Sequence, residues 1–240
     1  LHSLRRRQRQ MCIRDSAPYS GTLFFDVNET LLDTTELNRS VAQRLGDRPE
    51  RAEAWFTSLL HHSLVESVTG SWNSFGDIAE AVLEMTAARY GVTLPKNATP
   101  IAEIIAAMPA HPDVAAGLTA LQQQGFTLVA LTNSSASLAE KQLSSAGLAP
   151  LFTRILSVEQ LQVYKPDLRV YQWAMKELGK PVSECMMVAA HGWDVGGAKR
   201  AGMKTAFVTR KGQALYPLAP APDLIVSDIG ELTAKIKPLC

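Results

Sequence analysis

The 240-residue sequence has little cysteine, almost no excess charge and no long apolar run. Its three cysteines, Cys12, Cys185 and Cys240, lie far apart and form no CxxC pair, which favours neither a disulfide framework nor a zinc site. The net charge of +1 gives no reason to expect nucleic acid as a partner. No apolar stretch approaches the roughly 18 residues that a membrane-spanning helix needs. These absences favour a globular protein of the reducing cytoplasm that acts on a small molecule, without membrane contact.

The first sixteen residues differ in composition from the remainder. They lack the apolar stretch of a secretory signal. They carry five arginines, which are Arg5, Arg6, Arg7, Arg9 and Arg14. Segment 1–16 is interpreted as a disordered or non-native leader, with a basic targeting arm as the alternative, and it takes no part in the fold prediction.

The remaining sequence predicts an α/β fold, with a Rossmann-like parallel sheet core and an inserted all-helical cap. Residues 34–108 show only helical periodicity, so they form the predicted cap between core segments 17–33 and 109–240. After Pro109, strands and helices alternate, which is typical of a parallel sheet with right-handed crossovers. The predicted strands are Thr22–Val27, Phe126–Leu131, Arg154–Ser157, Cys185–Ala190, Thr205–Val208 and Leu224–Val226. The predicted core helices are Ala136–Ala146, Asp167–Leu178 and Val195–Ala201.

Polar side chains follow several of these strands. The clusters are Asp26 with Asn28 and Thr30, then Thr132-Asn133-Ser134, then Lys165, then His191-Gly192-Trp193-Asp194. Because ligands bind outside the carboxyl ends of the strands in open α/β sheets, these groups are expected around one point. A carboxylate becomes a useful nucleophile where a lysine offsets its charge, and Asp26 is the predicted nucleophile.

Four motifs then reveal a family resemblance. The segments FFDVNETLLD, ALTNSS, VYKPDLRVY and VAAHGWDVGGA resemble, in order, the four motifs of the haloacid dehalogenase superfamily. The similarity covers about residues 21–210 and is closest to the type II L-2-haloacid dehalogenases. It implies hydrolytic dehalogenation of short 2-haloalkanoic acids through an aspartyl ester. It also implies a possible homodimer, since dimers are common among such enzymes.

The resemblance implies a set of catalytic residues. Asp26 matches the nucleophile, and Thr30 matches the threonine that supports its loop. Lys165 matches the lysine of the third motif. Asp194 matches the acid that anchors this lysine and assists the hydrolytic water.

It also implies residues that bind the substrate or the halide. Asn133 matches the asparagine that holds the leaving halide, and Thr132 stands where serine is usual. Tyr171 matches the tyrosine that pairs with the lysine. Asn28 and His191 are added to this set because they stand in the first and fourth motifs.

The alternative within the superfamily is a phosphatase. Such enzymes resemble one another in a second aspartate two residues after the nucleophile, which protonates a departing alkoxide; Asn28 stands there in this chain. Ala190 occupies the place of an acidic Mg²⁺ ligand in the fourth motif. A halide needs no general acid, so the sequence favours dehalogenation without metal and without an organic cofactor.

One expected group is missing. The dehalogenases carry an arginine in the cap, but Phe56 stands there, and no Arg or Lys occurs between Arg51 and Arg89. His61, His62 or Arg51 are candidates to replace it. Two further functions stay open: a related hydrolase for another small substrate, such as a weak phosphatase, and a catalytically silent small-molecule-binding protein.

Overall fold

A six-stranded parallel sheet forms the centre of the protein. The computed structural model describes residues 21–236, so the predicted leader, residues 1–16, lies outside the described part. The strand order is β3-β2-β1-β4-β5-β6. The strands are β1 (Thr22–Phe25), β2 (Thr127–Thr132), β3 (Arg154–Ser157), β4 (Cys185–Ala189), β5 (Lys204–Val208) and β6 (Leu224–Val226).

Strand β1 lies between β2 and β4 and pairs with both in parallel. Its four residues are all buried, as expected for a strand covered on both faces. The chain adds β2 and β3 on one side of β1 and then returns to add β4, β5 and β6 on the other. The strand order therefore reverses between β1 and β4, and this is where doubly wound sheets bind their ligands.

Four helices are inserted after β1, and this helical insertion contains no strand. They are α1 (Thr35–Arg44), α2 (Pro49–Thr69), α3 (Phe75–Tyr90) and α4 (Ile101–Ala106). Pro49 begins α2, and Gly70 ends it in a left-handed conformation that favours glycine. The Ser74 side chain caps α3 by accepting a hydrogen bond from the Asp77 amide. These findings confirm the predicted α/β fold with inserted helices, while the domain boundaries stay predictions.

Five further helices accompany the sheet. They are α5 (Val114–Gln123), α6 (Ala136–Ser145), α7 (Leu168–Glu177), α8 (Gly192–Arg200) and α9 (Ile229–Lys235). Helices α6, α7 and α8 confirm the predicted core helices to within a few residues, whereas α5 and α9 were not predicted. Between residues 21 and 236, no helix is long and apolar enough to cross a bilayer.

Candidate active site

The predicted nucleophile lies directly after the central strand, at the point where the strand order reverses. Asp26 follows β1, and its backbone amide donates to the Val188 carbonyl of β4. The residue is 5% exposed. One carboxylate oxygen, Oδ1, accepts a hydrogen bond from Lys165 Nζ at 2.9 Å. The other, Oδ2, accepts from Thr30 Oγ1 at 2.7 Å and lies 3.2 Å from His191 Nδ1.

Lys165 bridges two carboxylates in the buried centre of the site. Its ammonium donates to Asp26 Oδ1 and, at 2.7 Å, to Asp194 Oδ2. A third hydrogen bond goes to the Leu131 carbonyl at 2.9 Å. The other oxygen of Asp194 accepts from the Tyr171 hydroxyl at 2.6 Å. Both oxygens of Asp194 are therefore occupied, and the residue is fully buried.

The two carboxylates differ in their electrostatic surroundings. Burial alone would raise the pKa of Asp26, but the charges of Lys165 and His191 and their hydrogen bonds hold that pKa well below its usual range. Burial raises the pKa of Asp194, and the nearby Asp26 adds to this effect against the opposing charge of Lys165. Burial would lower the pKa of Lys165, yet Asp194 and Asp26 outweigh it and raise that pKa. The surroundings thus favour the ionised form of Asp26 more strongly than that of Asp194.

A second buried cation reaches Asp26 from the fourth motif. His191 is 4% exposed, and its Nε2 lies 2.9 Å from Glu29 Oε2 while Nδ1 faces Asp26. Burial would lower the pKa of His191, but the hydrogen bonds and charges of Asp26 and Glu29 raise it to about 9. The imidazole is therefore protonated at neutral pH, with a carboxylate at each nitrogen.

Glu29 has an unusual backbone conformation. Its φ of 66° is in the left-handed region, which costs a non-glycine residue about 1–3 kcal/mol. Its amide donates to the Leu32 carbonyl, and its own carbonyl lies 2.9 Å from His111 Nε2. These contacts hold the strained turn that presents the Glu29 carboxylate to His191. Sequence reasoning missed Glu29. Its only signal in the sequence was that it is an acidic residue inside the first motif.

Two aromatic rings stack on the imidazole of His191. Phe56, from helix α2 of the helical insertion, stacks on it with centroids 6.2 Å apart and planes 30° apart. Trp193 stacks on it at 5.1 Å and 20°. Aromatic faces attract a cation and shield it from water, so this stack favours the imidazolium. Phe56 thereby brings the helical insertion into direct contact with the site.

Thr30 fixes the loop that carries the nucleophile. Its hydroxyl donates to Asp26 and accepts from the Ala190 amide at 2.8 Å. The buried Arg210 guanidinium donates twice to the Thr30 carbonyl and forms an ion pair with Asp113. The loop is thus anchored to the ends of β4 and β5, and Arg210 is a second contributor that sequence reasoning missed.

The motif that follows β2 contacts the backbone of Lys165. Asn133 Oδ1 accepts from the Lys165 amide at 3.0 Å, whereas its side-chain nitrogen has no hydrogen-bond partner among residues 21–236. The Thr132 hydroxyl accepts from the Ser134 amide and so shapes the turn. Asn133 therefore keeps a free donor at the site, whereas Thr132 supports the turn.

Asn28 faces helix α6 rather than the nucleophile. Its Oδ1 accepts from Gln142 Nε2 at 2.7 Å, and its Nδ2 donates to Ser134 Oγ at 3.4 Å. Gln142 is fully buried and was also missed, because nothing in the sequence marks a polar residue on a core helix as part of a site. Asn28 thus lies beside the other predicted site residues, but its side-chain amide is hydrogen-bonded to Gln142 and Ser134.

The three candidates for the missing cap cation are engaged elsewhere. Arg51 donates to the Leu45 carbonyl and lies 4.7 Å over the Tyr90 ring. His62 Nδ1 lies 2.9 Å from the Ser58 carbonyl of its own helix, and His61 is exposed beside it. In the described part of the chain, no three His, Cys, Asp or Glu side chains form a group that could hold a metal ion.

Comparison with known proteins identifies relatives along most of the chain. A family model described as haloacid dehalogenase-like hydrolase matches residues 21–202. An (S)-2-haloacid dehalogenase of Pseudomonas putida is 26% identical over 218 residues, which are 90% of this chain and 97% of the relative. A crystal structure of an L-2-haloacid dehalogenase has a TM-score of 0.84 and 26% identity, covering 90% of this chain and 98% of its own. The L-2-haloacid dehalogenase of Xanthobacter autotrophicus, solved with chloropropionic acid covalently bound, shares the fold with a TM-score of 0.81 at 23% identity, covering 89% and 97%.

Proposed function

The chain belongs to the haloacid dehalogenase-like hydrolase family, and we propose that it removes the halogen from short 2-haloalkanoic acids by hydrolysis, through an ester on Asp26. The observation that carries the proposal is the buried carboxylate of Asp26, held ionised by Lys165 and His191. A buried carboxylate that is kept ionised by neighbouring cations can act as a nucleophile towards a substrate carbon placed beside it. The covalently bound chloropropionic acid in the Xanthobacter autotrophicus enzyme supports this chemistry.

In the first half-reaction, Asp26 attacks the carbon that bears the halogen. A bond forms between a carboxylate oxygen and this carbon, the carbon–halogen bond breaks, and the halide leaves with the bonding electrons. The free amide nitrogen of Asn133 is the proposed donor to the departing halide. Lys165 is held by Asp194 and by the Leu131 carbonyl, so its position does not depend on Asp26.

In the second half-reaction, water hydrolyses the ester. Both oxygens of Asp194 already accept hydrogen bonds, so we assign Asp194 to holding Lys165 and place the general base at His191. The ester carries no charge, so His191 loses one of the two carboxylates that kept it protonated and releases its proton to solvent. Glu29 keeps a hydrogen bond to Nε2, which leaves Nδ1 facing the ester as the acceptor for a proton from water.

The resulting hydroxide attacks the ester carbonyl, and the bond from the carbonyl carbon to the ester oxygen, which came from Asp26, breaks. The departing alkoxide takes the proton from His191 and leaves as a 2-hydroxy acid. The new carboxylic acid on Asp26 then gives its proton back to His191, which restores the resting ion pair. Over the whole cycle, one water is consumed, and one halide and one proton are released. The oxygen atom of that water remains in the Asp26 carboxylate.

The function is tested by halide release from L-2-chloropropionate, chloroacetate and fluoroacetate without added metal. Wild type is expected to release halide, and Asp26→Asn to release none. The control is Asp33→Asn, since this carboxylate, seven residues along the same segment, accepts hydrogen bonds from no residue between 21 and 236 except Thr35. Halide release by Asp26→Asn at the wild-type rate would exclude Asp26 as the nucleophile. Mg²⁺-dependent turnover of a phosphate ester, without halide release, would instead support a phosphatase.

A further inference from the structure

The reacting groups are sealed from solvent, so a substrate must pass through a neighbouring cavity. Asp26, Lys165 and Asp194 are at most 5% exposed. A cavity of about 390 Å³ lies between the helical insertion and the core, within the range of small-molecule sites. Its lining includes Glu29 and Phe56, which both contact His191. This cavity therefore borders two of the side chains that hold the imidazole of His191 beside the nucleophile.

The buried charges of the site do not favour an anion. Three carboxylates, those of Asp26, Glu29 and Asp194, face only two cations, Lys165 and His191. Both nitrogens of His191 already face a carboxylate. A 2-haloacid brings one more negative charge, so its approach needs a further cation that is not already paired with a protein carboxylate.

Lys211 is such a cation. It is the only positively charged side chain among the described residues that line the cavity, and it is exposed. It makes no hydrogen bond or ion pair with any residue between 21 and 236. It directly follows Arg210, whose guanidinium is anchored to the Thr30 carbonyl and to Asp113, so the chain at Lys211 is tied to the nucleophile loop.

We propose that this cavity is the substrate entrance and that Lys211 binds the substrate carboxylate there. The inference rests on the proposed function and adds to it the residue that binds the substrate carboxylate. Lys211 is then a positioning residue on a core loop, and it supplies a positive charge that Arg51 of the helical insertion, which is engaged with Leu45 and Tyr90, does not bring to the cavity. Since the lysine is exposed at the mouth, its attraction for the anion weakens as salt screens it.

A second cavity is a rival candidate for the substrate entrance, and it is also lined by a positively charged side chain. This cavity of about 580 Å³ has Trp193, Pro166 and Arg200 among its lining residues. Arg200, however, donates to the Gly196 carbonyl at 3.3 Å and lies 3.5 Å from the Leu218 carbonyl. Arg200→Gln and Lys211→Gln each remove one positive charge, so they form a matched pair that distinguishes the two cavities.

The experiment measures binding and turnover separately. Binding of D-lactate, the product expected from L-2-chloropropionate because attack by Asp26 inverts the carbon, and of its neutral analogue D-lactamide is followed by NMR titration. Lys211→Gln is expected to weaken lactate binding about tenfold at low ionic strength and to leave lactamide binding unchanged. Lys211→Arg should restore lactate binding. For turnover of L-2-chloropropionate, kcat/KM should fall with kcat little changed, and high salt should shrink the difference from wild type.

Two results would overturn the inference. One is equal lactate binding by Lys211→Gln and wild type; the other is a loss confined to Arg200→Gln, which would assign the anion to the rival cavity. Lactate binding that depends on Lys211 in a protein that releases no halide would keep the carboxylate site and reject the proposed dehalogenation. The two claims therefore fail separately.

Discussion

Asp26 owes its ionised state to two cations that come from different parts of the chain. Lys165 follows β3 and is held by Asp194, whereas His191 follows β4 and is held by Glu29. Lys165 keeps its partners when Asp26 becomes an ester, but His191 loses one of its two carboxylates. Because of this difference, Lys165 can stay positively charged throughout the reaction, whereas His191 can lose and regain a proton.

Replacing His191 is predicted to slow hydrolysis of the ester more than its formation. His191→Asn should release about one halide per active site in a burst and then turn over about 10²–10⁴-fold more slowly, because the general base is lost. Rapid-quench halide assays and intact-protein mass spectrometry would measure the burst and the trapped ester. Trp193→Phe is the control, since it keeps an aromatic ring beside residue 191. Slow turnover without a burst or an adduct would remove His191 from the second half-reaction.

The same residue predicts how stability depends on pH. The pKa of His191 is raised from 6.5 to about 9, so its contribution to stability is fully present below pH 6.5 and is lost as the pH rises through about 9. The expected loss is about 3 kcal/mol in the free energy of unfolding. Urea unfolding of wild type and His191→Asn across this range would measure it. The variant corrects for other groups, such as Cys185, whose buried thiol has a pKa raised to about 11. Equal pH dependence in the two proteins would contradict the assigned pKa.

The sequence predicted the residues of the site better than their pairing. Asp26, Lys165 and Asp194 were identified from motifs, and the structure brings them within hydrogen-bonding distance. The Glu29–His191 pair joins residues 162 positions apart, and no local pattern connects them. Such a pair depends on the sheet order, which places β1 beside β4, and on one strained turn.

At the scale of elements, helices α5 and α9 pack against each other beside the sheet. The contact is close at Gly117, where an added Cβ would lie 2.5 Å from Ile229 Cγ2. Asp113, just before α5, accepts hydrogen bonds from the Ile229 amide and from Arg210. This contact connects two helices that the sequence analysis did not predict to the arginine that anchors the nucleophile loop.

Gly117→Ala is therefore expected to destabilise the protein by about 1–3 kcal/mol through overpacking, although alanine is the better helix former. Gly76→Ala is the matched control in helix α3, because its Cβ would meet nothing closer than 3.8 Å. That substitution should stabilise the protein by about 0.4–1 kcal/mol. Thermal or urea unfolding of both variants would measure the contrast. If Gly117→Ala stabilised the protein as Gly76→Ala does, helices α5 and α9 would be packed more loosely at Gly117 than the 2.5 Å approach to Ile229 indicates.

The predicted and the missed elements differ in their signals. Strand β1 is a continuous buried apolar run between polar residues, and its position was predicted correctly. Helix α9 has only seven residues, so it offers too few turns for a clear period, although Asp228 caps it. Helix α5 does carry buried positions at helical spacing, Val114, Leu118 and Leu121, so its signal was present.

At the scale of the whole molecule, the site depends on contact between the helical insertion and the core. Tyr164, beside Lys165, stacks on Trp72 of the insertion with centroids 4.7 Å apart. The Tyr164 amide also donates to Ser67 at 3.0 Å, across 97 positions of sequence. Together with the contact between Phe56 and His191, this places the insertion over the third and fourth motifs. Periodicity predicted the helices of the insertion, but only tertiary packing determines which of their side chains reach the site.

The central claim, that Asp26 forms the ester and that water hydrolyses it at the carbonyl, has a direct test. The protein is given excess L-2-chloropropionate in water enriched in heavy oxygen, and the peptide that contains Asp26 is then analysed by mass spectrometry. The account predicts heavy oxygen in the side chain of Asp26 after many turnovers, and an unlabelled 2-hydroxy acid after a single turnover. Heavy oxygen in the product of the first turnover, with none in the Asp26 peptide, would show that water attacks the substrate directly and would contradict the account.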